Sequence, residues 1–157
     1  CAGHRDLKPA NVLIAAPGAP DRPPQVKLVD FGISTLAARE DKAEPIEQGP
    51  DPSAVMAAPA GTPMYMAPES TERRYSAQLA ADIFSFGVMA FEVLTRELPF
   101  QSPPALVPPE ALAEVPLLQT LCPDLPPPLV AVLQRCLLPD PNRRPTAEAL
   151  AAALAGC

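Results

Sequence analysis

The chain has 157 residues, and 24 of them are proline, against a usual share of about 5%. It is 48% apolar and 19% charged, with a net charge of −6. Seven glycines cannot keep a collagen period, the charge is too sparse for a wholly disordered chain, and an acidic chain is a poor partner for nucleic acid or an anionic membrane surface.

In chain order, Asn11-Val12-Leu13-Ile14 reads as a short strand, residues 16–25 as a Pro/Gly-rich loop, and Val26-Lys27-Leu28-Val29 as a second strand. Together they predict a hairpin. Residues 36–60 carry acidic side chains, prolines and little periodicity, the pattern of a mobile loop. Gln78 to Arg96 has no proline and is apolar almost all round, which predicts a buried central helix. Nine prolines between Ser102 and Pro128 leave room for at most one short helix, at Pro109 to Val115. Leu129, Val132, Leu133, Cys136 and Leu137 recur at helical spacing, so residues 129–138 read as a helix. Thr146 is placed to cap a final Ala/Leu helix with Glu148 in its first turn.

The longest apolar stretch, Leu79 to Leu94, contains Asp82 and Glu92, and reads as a buried helix rather than a membrane segment. The four cysteines form no CxxC pair, and the single histidine, His4, has only Cys1 near it in sequence, which argues against structural zinc and points to a reducing, cytoplasmic compartment. The chain opens at Cys1 with no apolar signal region and no Met, and reads as a piece of a longer polypeptide.

Three segments carry chemistry. They are His4-Arg5-Asp6-Leu7-Lys8-Pro9-Ala10-Asn11, Asp30-Phe31-Gly32, and Gly61-Thr62-Pro63-Met64-Tyr65-Met66-Ala67-Pro68-Glu69. Taken singly, a carboxylate such as Asp6 or Asp30 reads as an ordinary loop cap. The three in this order, followed by Asp82-Ile83-Phe84-Ser85-Phe86-Gly87 and Asn142-Arg143-Arg144-Pro145-Thr146, do not. Over essentially its whole length the chain resembles the C-terminal lobe of a eukaryotic-type protein kinase. Lys8-Pro9 after Asp6-Leu7 resembles the serine/threonine form of the loop, whereas residues 85–92 are similar to the tyrosine-kinase-like branch.

The resemblance implies an α+β fold, a mainly helical lobe with a small β-hairpin beside the catalytic loop, in which residues 1–157 are part of a catalytic domain and 36–60 its activation loop. It implies ATP and Mg²⁺ as cofactors and a Ser- or Thr-bearing protein as substrate. Phosphoryl transfer asks a protein mainly for positioning and charge neutralisation. In that chemistry Asp6 would receive or orient the substrate hydroxyl proton, and Lys8 would set a positive charge near the phosphate. Asn11 and Asp30 would ligate Mg²⁺ through hard oxygen atoms. Thr62 would hydrogen-bond Asp6 and Lys8 and help shape the substrate site, and Leu13 would lie under the adenine ring. His4 and Phe31 resemble members of a stacked hydrophobic spine. Asp82 would accept N–H bonds from the His4-Arg5 turn, since an unpartnered carboxylate in an apolar helix is expensive. Glu69 and Arg144 resemble a buried ion pair. Glu92 is open to two readings, a satisfied helix residue or a group facing basic substrate side chains.

By resemblance, Arg5 pairs with a phosphate on the activation segment. Ser34, Thr35 and Ser53 are the only hydroxyls between Gly32 and Gly61. Either Ser53 carries that phosphate, or Glu47 or Asp51 supplies a standing charge. No Gly-x-Gly-x-x-Gly occurs, and none of Lys8, Lys27 and Lys42 has the context of a strand lysine. The N-terminal lobe of the same polypeptide is therefore an expected partner, and these residues alone are expected to be inactive. The alternative is a non-catalytic, kinase-like scaffold, which would have no need of the intact set Asp6, Lys8, Asn11 and Asp30.

Overall fold

The computed structural model describes residues 3–16, 23–31, 62–71, 75–112 and 115–156. The expected activation loop, residues 36–60 with Glu47, Asp51 and Ser53, lies outside the described residues, as do Ser34 and Thr35 before it. The described elements give the expected α+β composition: one two-stranded sheet and four α-helices joined by short 3₁₀ turns.

The hairpin consists of β1 (Val12–Ala15) and β2 (Gln25–Leu28), antiparallel, with Val12 opposite Leu28 and Ala15 opposite Gln25. The first strand starts one residue later than its apolar run predicts. Asn11 closes a 3₁₀ turn, Pro9–Asn11, because its side chain is engaged elsewhere. The Val29 N–H still donates to the Asn11 carbonyl at 3.0 Å, so the ladder continues past the strand ends. The face that carries the Ile14–Val26 pair is apolar and open, with Ile14 70% exposed and Val26 62%, and the opposite face sets Leu13 beside Lys27.

Helix α1 (Tyr75–Thr95) is the rod on which the rest is hung. Its middle is buried through Ile83, Phe84, Val88 and Phe91, each such side chain contributing about 1.5–3 kcal/mol. The expectation of burial all round holds only there, since Val93 near its end is 65% exposed. The helix stops where Arg96 turns left-handed at φ 65° and gives its N–H to the Glu92 carbonyl. Gly87 permits close packing against the end of the later helix: a Cβ there would lie 2.8 Å from Cys136 Cβ.

The proline-rich stretch holds more structure than the expected single short helix. It forms two 3₁₀ turns, Pro104–Leu106 and Pro109–Leu112, and the four-residue helix α2 (Leu118–Leu121). Leu112 and Leu118 are buried, so tertiary packing holds turns that local propensity alone would not. Helix α3 (Pro127–Cys136) begins two residues earlier than its apolar spacing indicates. Pro127 and Pro128 occupy the first turn, where a missing N–H loses no helical bond. Val130, Val132, Leu133 and Cys136 join the core, and burial pushes the Cys136 thiol up to about 11. Helix α4 (Ala147–Ala155) starts as expected, with the Thr146 hydroxyl accepting the Ala149 N–H at 3.2 Å.

Candidate active site

The loop from His4 to Asn11 is fixed by a single carboxylate. Asp82 on α1 accepts the His4 N–H at 2.6 Å and the Arg5 N–H at 2.8 Å. Arg5 needs that support, because it sits at φ 67°, the left-handed region. Such a residue costs about 1–2 kcal/mol, whereas a hydrogen bond to a charged group contributes about 1.5–3 kcal/mol, so the two bonds outweigh the strain. Below them the buried His4 ring bonds the Val29 carbonyl through Nε2 at 2.9 Å. A carbonyl only accepts, so Nε2 carries the proton and Nδ1 the lone pair. The Asp6 N–H points at that Nδ1 at 3.4 Å. The ring also packs against Phe31, with centroids 4.6 Å apart and planes tilted by 57°. One histidine thus joins the loop to the segment that carries Asp30.

Asp6 emerges from this frame with its charge shared. Lys8 Nζ lies 2.7 Å from Asp6 Oδ2. The Asn11 side-chain amide donates to the same oxygen at 3.0 Å and to the Asp6 backbone carbonyl at 2.7 Å. Both Asn11 amide hydrogens are therefore directed at Asp6, and the planar amide turns its own oxygen, Oδ1, the other way. Asp30 follows Val29, whose N–H bonds the Asn11 carbonyl. It sits at φ 64° on an exposed segment. The donor chemistry at Asn11 and Asp30, an amide oxygen and a carboxylate, fits a hard divalent cation such as Mg²⁺.

A second layer ties the segment after Thr62 to the same rod. The 3₁₀ turn Thr62–Tyr65 is followed by a second, Pro68–Thr71. The Ser85 hydroxyl donates to the Tyr65 carbonyl at 2.7 Å, and the Tyr65 hydroxyl donates to Glu92 Oε2 at 2.7 Å. Burial, reinforced by that carboxylate, pushes the Tyr65 phenol up to about 12. Glu69 meets Arg144 across 75 residues of chain, with Nη1–Oε1 and Nη2–Oε2 separations of 2.5 and 2.8 Å. The Arg144 guanidinium also donates to the carbonyls of Leu138, Ala80 and Pro139 and lies 4.8 Å from the centre of the Phe84 ring.

The structure therefore brings Asp6, Lys8 and Asn11 into direct contact, puts Asp82 behind them, and pairs Glu69 with Arg144. Leu13 and Phe31 are both about half exposed on the hairpin side, at 53% and 51%. Thr62 opens the turn that Ser85 and Glu92 hold through Tyr65. Ser85 and Tyr65 are the site residues that sequence reasoning missed. The available signal was weak: one hydroxyl in an apolar helix, three residues after Asp82 and seven before Glu92.

A carboxylate on a strained, helix-held turn, with a cation and an amide on one of its oxygens, suits group transfer to a hydroxyl. The comparisons give that class its family. Residues 2–153 match the protein kinase domain, and the chain belongs to the protein kinase family. It is 38% identical over 152 residues to the serine/threonine-protein kinase PkaA of Streptomyces coelicolor, covering 96% of this chain and 25% of that protein. It is 36% identical over 159 residues to the serine/threonine-protein kinase PknA of Mycobacterium tuberculosis, covering 98% of this chain and 32% of that protein. The chain thus spans a quarter to a third of the length of these relatives. Among solved structures it is similar to the Rad53 kinase domain with SCD2, at a TM-score of 0.58 and 26% identity, covering 97% of this chain and 47% of that one.

Proposed function

We propose that this chain is the catalytic-loop half of a protein serine/threonine kinase that moves the γ-phosphoryl group of ATP to a protein hydroxyl. The observation that carries the reading is the Asp6 carboxylate, oriented by Asn11, paired with Lys8 and mounted through Asp82 on α1. The relatives named as serine/threonine kinases support the choice of hydroxyl.

In this reading Asp6 orients the attacking Ser or Thr hydroxyl and takes its proton as the new P–O bond forms and the bond to the leaving ADP breaks. Lys8 holds Asp6 in place in the resting site and offsets phosphate charge during transfer. Asn11 Oδ1 and the Asp30 carboxylate hold Mg²⁺, which when bound neutralises phosphate charge. Thr62 begins the segment that shapes the site for the protein substrate. Leu13 supports the adenine ring, and the exposed apolar side chains of the hairpin are covered by nucleotide and by the N-terminal lobe of the same polypeptide. The residues described here, on their own, hold only half a nucleotide cleft and are inactive alone. A scaffold would not require Asp6, Lys8 and Asn11 to converge on one oxygen.

The test is Asp6→Asn in the full-length protein. Transfer to protein should fall by about two orders of magnitude or more, the scale of a catalytic acid–base group, while ATP affinity stays near its starting value. Unchanged transfer would remove the catalytic reading.

A further inference from the structure

Asp82, Ser85 and Glu92 lie on one side of α1. At 3.6 residues per turn they fall within about 80° of arc, and Ser85 is about 4.5 Å along the axis from Asp82 and about 10.5 Å from Glu92. Asp82 holds the loop of Asp6. Ser85 and Glu92 hold opposite ends of one residue, Tyr65: the backbone carbonyl at Ser85 and the phenol at Glu92, each at 2.7 Å. Tyr65 is thereby laid lengthwise along the helix, and its turn is set about one helical turn from the Asp6 loop.

The buried Ser85 hydroxyl has one proton and two acceptors, the Tyr65 carbonyl at 2.7 Å and its own helix's Ala81 carbonyl at 3.1 Å. The Ala81 contact is the local back-bond that any serine in a helix can make. The shorter contact to Tyr65 crosses to another segment. Helix α1 has no use for it, since alanine is the better helix former at that position. Its effect falls on where Tyr65, and with it the Thr62–Tyr65 turn, comes to rest.

We propose that Ser85 is a positioning residue for the protein substrate, fixing the Thr62–Tyr65 turn against the helix that carries the Asp6 loop. The proposal rests on the kinase reading above and deepens it, because it assigns the tie to the substrate side of the site. The nucleotide side, Asn11 and Asp30, is held by different contacts, through Asp6, Val29 and His4.

The experiment compares full-length wild type, Ser85→Ala and Ser85→Thr, with casein as the protein probe. In Ser85→Ala, kcat/KM for casein should fall about tenfold, since small misplacements at a reacting centre cost one to two orders of magnitude. The KM for ATP should stay within about twofold, the melting temperature within about 4 °C, and Ser85→Thr should recover most of the loss. Hydrogen exchange of the Met66 amide, bonded to Pro63 at 3.2 Å, should accelerate in Ser85→Ala whether or not the protein is active. If the threonine variant does not fold, Ser85→Cys, a near-isosteric weak donor, takes its place and should fall between wild type and alanine. Casein kinetics in Ser85→Ala equal to wild type, or an equal loss on the ATP side, would overturn the proposal. A folded wild type that neither phosphorylates casein or itself nor hydrolyses ATP would overturn the kinase reading, and this proposal with it.

Discussion

Replacing Arg144 by alanine removes the guanidinium on which three segments converge: the Glu69 turn, α1 and the Leu138–Pro139 pair. Its side chain is fully buried, and that of Glu69 is 7% exposed. All five of its N–H donors are used: two on Glu69 and one each on Leu138, Ala80 and Pro139. Alanine would leave the Glu69 carboxylate buried without its cation and would take a donor away from the carbonyls of Leu138, Ala80 and Pro139. Loss of one partner from a buried ion pair costs about 3–5 kcal/mol, a large share of a domain's total of about 5–15 kcal/mol. For a chain of this size the melting temperature should drop by about 6–20 °C. Arg143 is the internal control: it is next in sequence and exposed, so Arg143→Ala should stay within about 0.5 kcal/mol. Thermal melting followed by circular dichroism reads both. Glu69→Leu combined with Arg144→Met should recover much of the loss, because a packed apolar pair needs no counter-charge. Equal, small shifts in the two alanine variants would refute the reasoning.

Two further outcomes follow from the packing. Tyr65 should remain un-ionised well past its ordinary value of 10.0, titrating near 12. A raised folded-state value means that its contribution to stability is complete below pH 10 and is lost as the pH climbs toward 12. Absorbance at 295 nm should show a late tyrosine step that Tyr65→Phe abolishes, and an unchanged titration in that variant would count against the Glu92 bond. Gly87→Ala should destabilise, because its Cβ would meet Cys136 Cβ at 2.8 Å and Leu137 Cδ2 at 3.1 Å. Overpacking costs about 1–3 kcal/mol, and the gain in helix propensity of about 1 kcal/mol offsets only part of it. Urea midpoints would show the sign, and a more stable variant would contradict the close packing of α1 on α3.

Much of this arrangement was legible in the sequence, for reasons that differ by element. The α1 rod was visible because apolar residues without proline persist over many turns. The hairpin and the Thr146 cap were visible through alternation and a hydroxyl before an Ala/Leu run. Asp82 stood out as a charge inside an apolar helix, where only a specific partner makes it tolerable. The proline-rich stretch was harder to read. Leu112 and Leu118 are held by contacts far away in sequence, and a four-residue helix leaves no periodicity to detect. The starts of β1 and α3 shifted by one or two residues because a side-chain bond at Asn11 and prolines in a first turn decide those boundaries locally. Ser85 and Tyr65 escaped notice because neither residue type signals a cross-segment bond; only their spacing against Asp82 and Glu92 does so, once the helix is known.

The kinase reading turns on one carboxylate. Its most direct test incubates the full-length protein with Mg²⁺, ATP labelled in the γ-phosphate and a protein acceptor, and then identifies the labelled amino acid after hydrolysis. Label on serine or threonine, reduced by about a hundredfold in Asp6→Asn with ATP still bound, is the predicted result. Label that persists undiminished in Asp6→Asn, or a folded wild type that transfers none, would contradict it.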